Sequence, residues 1–211
     1  LALLTKSEIL KSAYLAGGTA LALQIGHRYS YDLDFFISQK FDEEILIQKI
    51  TEILPEFNLE RKSWGTILGY LGKTRFSLFF YNYPLLFKPH QLFGLEIADI
   101  KDIAPMKIAA IADRGTKRDF IDLYFIFNKA GVLTLKEALT LYDKKFKVLR
   151  QNKIHILKSL VYFADAEKDE MPHMIKSVRW SSVKEFFINE QKKIAKEILK
   201  IDIPCGKPQG I

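Results

Sequence analysis

The sequence predicts an α+β protein in which a mixed sheet flanked by helices is followed by a C-terminal helical bundle. Three observations carry this reading. Segments rich in aromatic and β-branched residues fall before Leu95. From Asp99 onward the apolar spacing is almost unbroken helical. The charge balance shifts near residue 130: residues 131–211 hold 16 Lys and Arg against 10 Asp and Glu, whereas residues 1–130 hold 16 against 15. With Gly131 available as a helix terminator, the chain divides into 1–130 and 131–211.

The elements follow in order. Thr5-Lys6-Ser7-Glu8 is a capping box that starts a short helix. AYLAG is a small buried strand broken by Gly17-Gly18, and Thr19–Ile25 is a short apolar helix ended at Gly26. Tyr29–Ile37 reads as a strand, and Asp42–Leu54 as a helix closed before Pro55. FNLER, GTILGYLG and TRFSLFFYNY form a strand series with a tight turn at Gly72-Lys73. Asp102 caps the stretch around Pro105, because proline is tolerated in a first helical turn. Helices are then expected at 117–129, 134–150, 152–165 and 182–201, two of them opened by the capping boxes Thr134–Glu137 and Ser182–Glu185.

Composition narrows the function classes. With 211 residues and 48% hydrophobic content, the chain can bury a sizeable core. A single cysteine, Cys205, excludes an internal disulfide framework, fits a cytoplasmic protein and has no neighbouring His or cation pattern of a nucleophile. No uncharged apolar run approaches the ~20 residues that span a bilayer, so no membrane role is expected. The basic, helix-rich end is the electrostatic footprint of a protein that meets a polyanion such as RNA, or a solvated lysine face.

The chemistry concentrates in residues 17–36, GGTALALQIGHRYSYDLDFF. Strand alternation puts Asp32 and Asp34 on one face, within reach of the same small ion. Magnesium, or manganese in its place, takes hard oxygen ligands and is commonly shared between carboxylates and substrate phosphates. Such an ion offsets the cost of placing two carboxylates in an apolar run. Gly17 and Gly18 let the backbone approach a phosphate, the helix N-terminus that follows aims N–H groups at it, and Thr19 adds a hydroxyl. An Asp-x-Asp pair alone is also used by glycosyltransferases to bind a metal–nucleotide-sugar, which makes that class a weaker alternative.

A second block, residues 99–126, reads DIKDIAPMKIAAIADRGTKRDFIDLYFI. Together with the glycine–aspartate stretch and YNYPLLF at 81–87, it makes the chain resemble the AbiEii/AbiGii toxin family. These are abortive-infection and toxin–antitoxin nucleotidyltransferases of the DNA polymerase β-type superfamily, with the tRNA-modifying MenT-type toxins as relatives. The resemblance covers about residues 10–130. It implies a nucleotidyltransferase-type sheet, a nucleoside triphosphate substrate with Mg²⁺, an RNA acceptor such as a tRNA 3′ end, and a cognate antitoxin.

Carried over residue by residue, the resemblance makes Gly17, Gly18 and Thr19 phosphate-binding and Asp32 and Asp34 metal ligands. Lys107 and Arg114 become cationic clamps, Asp119 an active-site aspartate, and Asp122 the partner that orients Arg118 or Lys107. The superfamily places a third carboxylate on a later strand. The matching position here is Ser77, and no carboxylate lies between Arg61 and Leu95. The site then works with one metal and Asp119 as base, or the chain is a nucleotide-binding module with little catalysis. His27 and Arg28 are candidates to touch the nucleotide, with packing an equal alternative for His27. The aromatic run 79–87 is a candidate to stack a base, although such runs more often belong to a core.

Overall fold

Ala13–Ala16 forms β1, buried throughout, and Gly17 turns the chain directly into helix α1, Gly17–Ile25. Gly26 closes α1 in the left-handed conformation, its N–H bonded to Ala22 O. Leu33–Ile37 is β2, and Glu43–Ile53 is α2, capped by Asp42 through a bond from Ile45 N. A meander follows: β3 (Phe57–Ser63), β4 (Thr66–Leu71) and β5 (Thr74–Phe80), with Gly72 at φ 60° in the tight turn. Two three-residue strands, β6 (His90–Leu92) and β7 (Leu95–Ile97), complete a seven-stranded sheet of order β3-β4-β5-β2-β1-β7-β6. β1 is antiparallel to β2 but parallel to β7, and β2 is parallel to β5, so the sheet is mixed.

The rest of the chain is helical: α3 (Ile100–Asp113), α4 (Lys117–Tyr124) continued by a π-helical turn at Phe125–Lys129, α5 (Leu135–Phe146), α6 (Lys153–Ser159) and α7 (Trp180–Ile201). This computed structural model describes residues 12–147 and 153–201, so the Thr5–Glu8 capping box and Cys205 lie outside the described residues. One apolar core joins the two halves. Phe35, Phe76 and Leu78 of the sheet, Ile103 and Ile108 of α3, and Val183 and Phe187 of α7 all belong to it. α1, α5 and α6 pack on α3, and α7 packs on α4. The predicted class is the observed one, a mixed sheet flanked by helices with further helices at the C-terminal end.

Four local expectations are corrected. Of the expected Tyr29–Ile37 strand, Tyr29–Asp32 do not extend β2, which starts at Leu33, and residues 27–29 pair elsewhere. Their backbone pairs with the segment at 173–176, through an Arg28–Met174 bridge, Tyr29 N to His173 O at 2.8 Å, and Ile175 N and Lys176 N to His27 O at 3.0 Å. Asp99, not Asp102, caps α3 by accepting from Lys101 N at 2.8 Å, which places Pro105 in the second turn. Asp102 is instead fully buried, where it accepts from Leu86 N and Phe87 N and pairs with Lys145 at 2.9 Å. Finally, α7 begins at Trp180, so Ser182 lies inside its first turn and donates its N–H to Arg179 O.

Candidate active site

The β1–α1 junction brings the glycines onto the aspartates. Gly17 sits at φ 73°, a conformation that L side chains rarely adopt, and a Cβ on it would stand 2.8 Å from Asp34 Oδ2. A Cβ on Gly18 would lie 2.3 Å from Arg28 Nη2. The glycine pair is thus set by close approach: Gly17 leaves room for a carboxylate and Gly18 for a guanidinium. Thr19 behaves differently from expectation. Its hydroxyl is hydrogen-bonded to Ser30 Oγ at 2.9 Å and to the carbonyl of Asp32, and it does not line the cleft described below. It ties α1 to the segment that carries Asp32.

Asp34, in β2, pairs in register with Ser77 of β5, which sets the Ser77 side chain beside its carboxylate. Burial raises the Asp34 pKa, and neighbouring Asp32 adds to the rise, while Ser77, Lys107 and Arg114 act the other way. Asp32 lies one residue before β2 with its side chain 41% exposed, 3.5 Å from Arg118 Nη1. Arg118 therefore faces Asp32; of the two partners expected for Asp122, Arg118 or Lys107, the carboxylate meets Lys107.

Beneath these residues is a buried charge cluster. Lys107, on α3, places Nζ 2.8 Å from Asp119 Oδ1 and 2.6 Å from Asp122 Oδ2, both on α4. Arg28 grips Asp122 with Nε at 2.7 Å and Nη2 at 3.0 Å, and His27 Nε2 lies 2.7 Å from the same carboxylate. Asp119 also accepts from Arg114 Nε at 3.1 Å and from the Thr116 hydroxyl at 2.6 Å. Burial alone would raise both carboxyls, but Lys107 and Arg114 hold Asp119 at about 2. Lys107, with His27 and Arg28, holds Asp122 lower still. Lys107 remains a cation, since the two aspartates outweigh its burial and raise its pKa.

A cleft of about 330 Å³ opens over this cluster. Gly18, Asp32, Asp34, Lys107, Arg114, Arg118 and Asp119 line it, together with Ser77. Gly17, Thr19 and Asp122 stand behind that lining. Five contributors had no prediction: Ser30, Arg61, Thr66, Leu68 and Arg75. Arg75 carried a readable signal, being two residues before Ser77 on the same strand and therefore on the same face. Of the aromatic run 79–87, only Phe79 reaches the cleft. Tyr81 packs on Phe36 at 5.1 Å and Tyr83 on Phe146 at 4.9 Å, both against the core. His27 is fully buried and makes no part of the lining.

The donor set fits a hard divalent cation that keeps water and phosphate ligands. Among the described residues no group of three or more His, Cys, Asp or Glu is placed to hold a metal. Two carboxylates beside a glycine backbone remain, one of them burdened by burial and by its neighbour's charge, a burden that a cation would relieve.

Three comparisons bear on this geometry. The family profile described as "Nucleotidyl transferase AbiEii toxin, Type IV TA system" matches residues 1–67 and 79–199. The unmatched interval between them contains Ser77. An uncharacterised protein of Aquifex aeolicus (strain VF5), aq_aa25, is 42% identical over 183 residues, covering 85% of this chain and 86% of its own. Two Helicobacter pylori crystal structures share the fold at 17% identity. One is of a candidate nucleotidyltransferase, with TM-score 0.51, covering 96% of this chain and 93% of that one. The other is JHP933, with TM-score 0.52, covering 95% and 91%. Among the described residues no helix is long and apolar enough to cross a membrane.

Proposed function

The chain belongs to the AbiEii family of nucleotidyltransferase toxins of type IV toxin–antitoxin systems, and from that premise we propose that its cleft transfers a nucleotidyl group from a nucleoside triphosphate to a hydroxyl of RNA, the 3′ end of a tRNA. The observation that carries the reading is the packing of Asp34, in the cleft lining, against Gly17 behind it, with Lys107 and Arg114 lining the same cleft. Together these join a carboxylate pair, an anion-accepting helix start and a cationic wall around one space of nucleotide size.

In this reading the first-turn N–H groups of α1, opened by Gly17 and Gly18, receive the triphosphate, and the helix carries no acidic residue in that turn to oppose it. Asp32 and Asp34 would hold Mg²⁺ or Mn²⁺. When bound, that ion neutralises phosphate charge and polarises the reacting phosphoryl group. Lys107 and Arg114 stabilise charge on the departing pyrophosphate, pre-set in position by Asp119. Asp119 itself, held at about 2 and committed to two cations, is a poor proton acceptor, so its role is positional. The acceptor hydroxyl's oxygen bonds to the α-phosphorus as the bond to pyrophosphate breaks, in line, and the hydroxyl proton passes to water in the open cleft. The basic helices after residue 130 supply a docking surface for RNA, and family membership implies a cognate antitoxin as partner.

Ser77 motivates a second reading, a nucleotide-binding module with little catalysis, because it puts a hydroxyl beside Asp34 where a third carboxylate is expected. Incubation with each α-labelled triphosphate, Mg²⁺ and total tRNA separates the two. Label on RNA is the expected result. Tight nucleotide binding without label on any macromolecule would replace the enzyme by the module.

A further inference from the structure

Resting on that reading, we propose that Arg61 and Arg75 hold backbone phosphates of the acceptor RNA's single-stranded end, along the sheet wall of the cleft. The two walls differ in how their charge is spent. On the helix side, Lys107 and Arg114 are tied to Asp119, Arg28 to Asp122, and Arg118 faces Asp32. On the sheet side Arg61 makes no ion pair among the described residues. Arg75 has one contact, to Glu60 at 3.5 Å, with both side chains nearly half exposed. A pair that open contributes little. Apart from Arg118, whose 3.5 Å contact with Asp32 is as open as that of Arg75, the cleft's uncommitted positive charge therefore lies on the sheet wall.

Arg61 reaches that wall through a register shift. Leu59 pairs with Gly69 but Arg61 pairs with Leu68, so Glu60 is the extra residue of a β-bulge. In an unbulged ladder Glu60 would oppose Leu68 and put a carboxylate on the cleft face, because paired residues share a face. The bulge sets an arginine there instead, the kind of re-aiming that bulges perform beside functional sites.

Position then decides which anion these arginines meet. The pairings line up a row across the sheet: Arg61, Leu68, Ser77, Asp34, Ala16. Asp34 stands between the arginine and the β1–α1 turn. Three strand spacings, roughly 14 Å, separate Arg61 from Asp34. In-line displacement requires the entering oxygen and the departing pyrophosphate on opposite sides of phosphorus. With pyrophosphate at Gly17–Gly18, the acceptor hydroxyl enters from β5 and the strand behind it runs over β4 and β3. Arg75 and Arg61 meet its phosphates there, and Phe79 offers an aromatic surface to a base.

The test compares the wild type, the Arg61→Ala/Arg75→Ala double variant and the Arg61→Lys/Arg75→Lys pair. Filter binding of total tRNA at several salt concentrations is measured beside binding of a fluorescent triphosphate analogue with Mg²⁺. The alanine pair is expected to weaken tRNA binding about tenfold or more and to flatten the log–log salt slope by roughly 1.4, two single-strand phosphate contacts. Nucleotide affinity stays unchanged, and the lysine pair keeps most of the tRNA affinity. Unchanged tRNA affinity in the alanine pair overturns the proposal. An equal loss of nucleotide affinity also overturns it, by assigning the arginines to the triphosphate. The transfer reaction is judged separately: arginine-dependent tRNA binding without label on RNA would remove the enzymatic reading and leave this surface in place.

Discussion

A Cβ on Gly17 would stand 2.8 Å from Asp34 Oδ2, so the first glycine and the second aspartate of the cleft are packed as one unit. Gly17→Ala tests this, with Gly26→Ala as its control. Both glycines have positive φ, 73° and 58°, but a Cβ on Gly26 would meet nothing within 4 Å. Each alanine is expected to cost about 1–2 kcal/mol in denaturant unfolding from backbone strain. Only Gly17→Ala should also abolish transfer and magnesium-dependent stabilisation, because it alone displaces a cleft carboxylate. Equal activity in the two variants would show that the contact does not position Asp34.

The cluster around Lys107 sets an acid limit on stability. Asp119 titrates at about 2 when folded, below its ordinary value. A carboxyl depressed on folding contributes stability that is present in full above its unfolded pKa and is lost as pH falls through the folded one. The contribution, on the order of 2 kcal/mol, therefore disappears between about pH 4 and pH 2. Urea unfolding from pH 7 to pH 2.5 should show this fall, and Asp119→Asn should start lower and fall less steeply. Asp122→Asn, which strips Lys107 and Arg28 of a buried partner, is expected to cost about 3–5 kcal/mol at pH 7. A parallel pH profile for Asp119→Asn would mean that the Lys107–Asp119 pair does not carry the shift.

Much of this site was legible as sequence because it rests on local pattern. Two aspartates one residue apart, a glycine pair followed by an apolar helix, and the Lys107–Asp122 block each announce a face or a turn without reference to distant residues. What was missed depends on tertiary partners. Thr19 looked free until Ser30 and the Asp32 carbonyl were folded onto it. Asp102 has the composition of a cap, but its carboxylate is claimed by Lys145 and by two N–H groups of the 84–87 segment. Tyr29 has strand composition, yet its backbone N–H, like the His27 carbonyl, bonds to the 173–176 segment, about 145 positions away in sequence. Arg61 was invisible because the bulge that turns it toward the cleft is a property of the ladder and leaves no mark in alternation.

Asp34→Asn separates metal binding from folding. Burial and Asp32 both penalise the Asp34 charge, so a neutral amide at that position should leave metal-free stability equal to or above that of the wild type. Transfer should be lost. In thermal unfolding with triphosphate, added Mg²⁺ should raise the wild-type Tm, by an amount equivalent to about 2.7 kcal/mol at a hundredfold excess over Kd. The variant should show little or no gain. A Tm rise of equal size in both proteins would place the cation away from Asp34.

Ser77→Asp tests whether the missing carboxylate limits the site. Ser77 is 3% exposed and pairs in register with Asp34, so an aspartate there sets a further buried negative charge beside Asp34 and near the half-exposed Asp32. Without a cation the repulsion has nothing to offset it, and the variant should unfold at lower temperature than the wild type in EDTA. With Mn²⁺ or Mg²⁺ the same charge becomes an added hard ligand, so the metal-dependent Tm gain should exceed that of the wild type. The two measurements must move in opposite directions. A loss in EDTA with no larger recovery in metal would mean that Ser77 does not face the ion, and that the carboxylate pair alone defines the cation site.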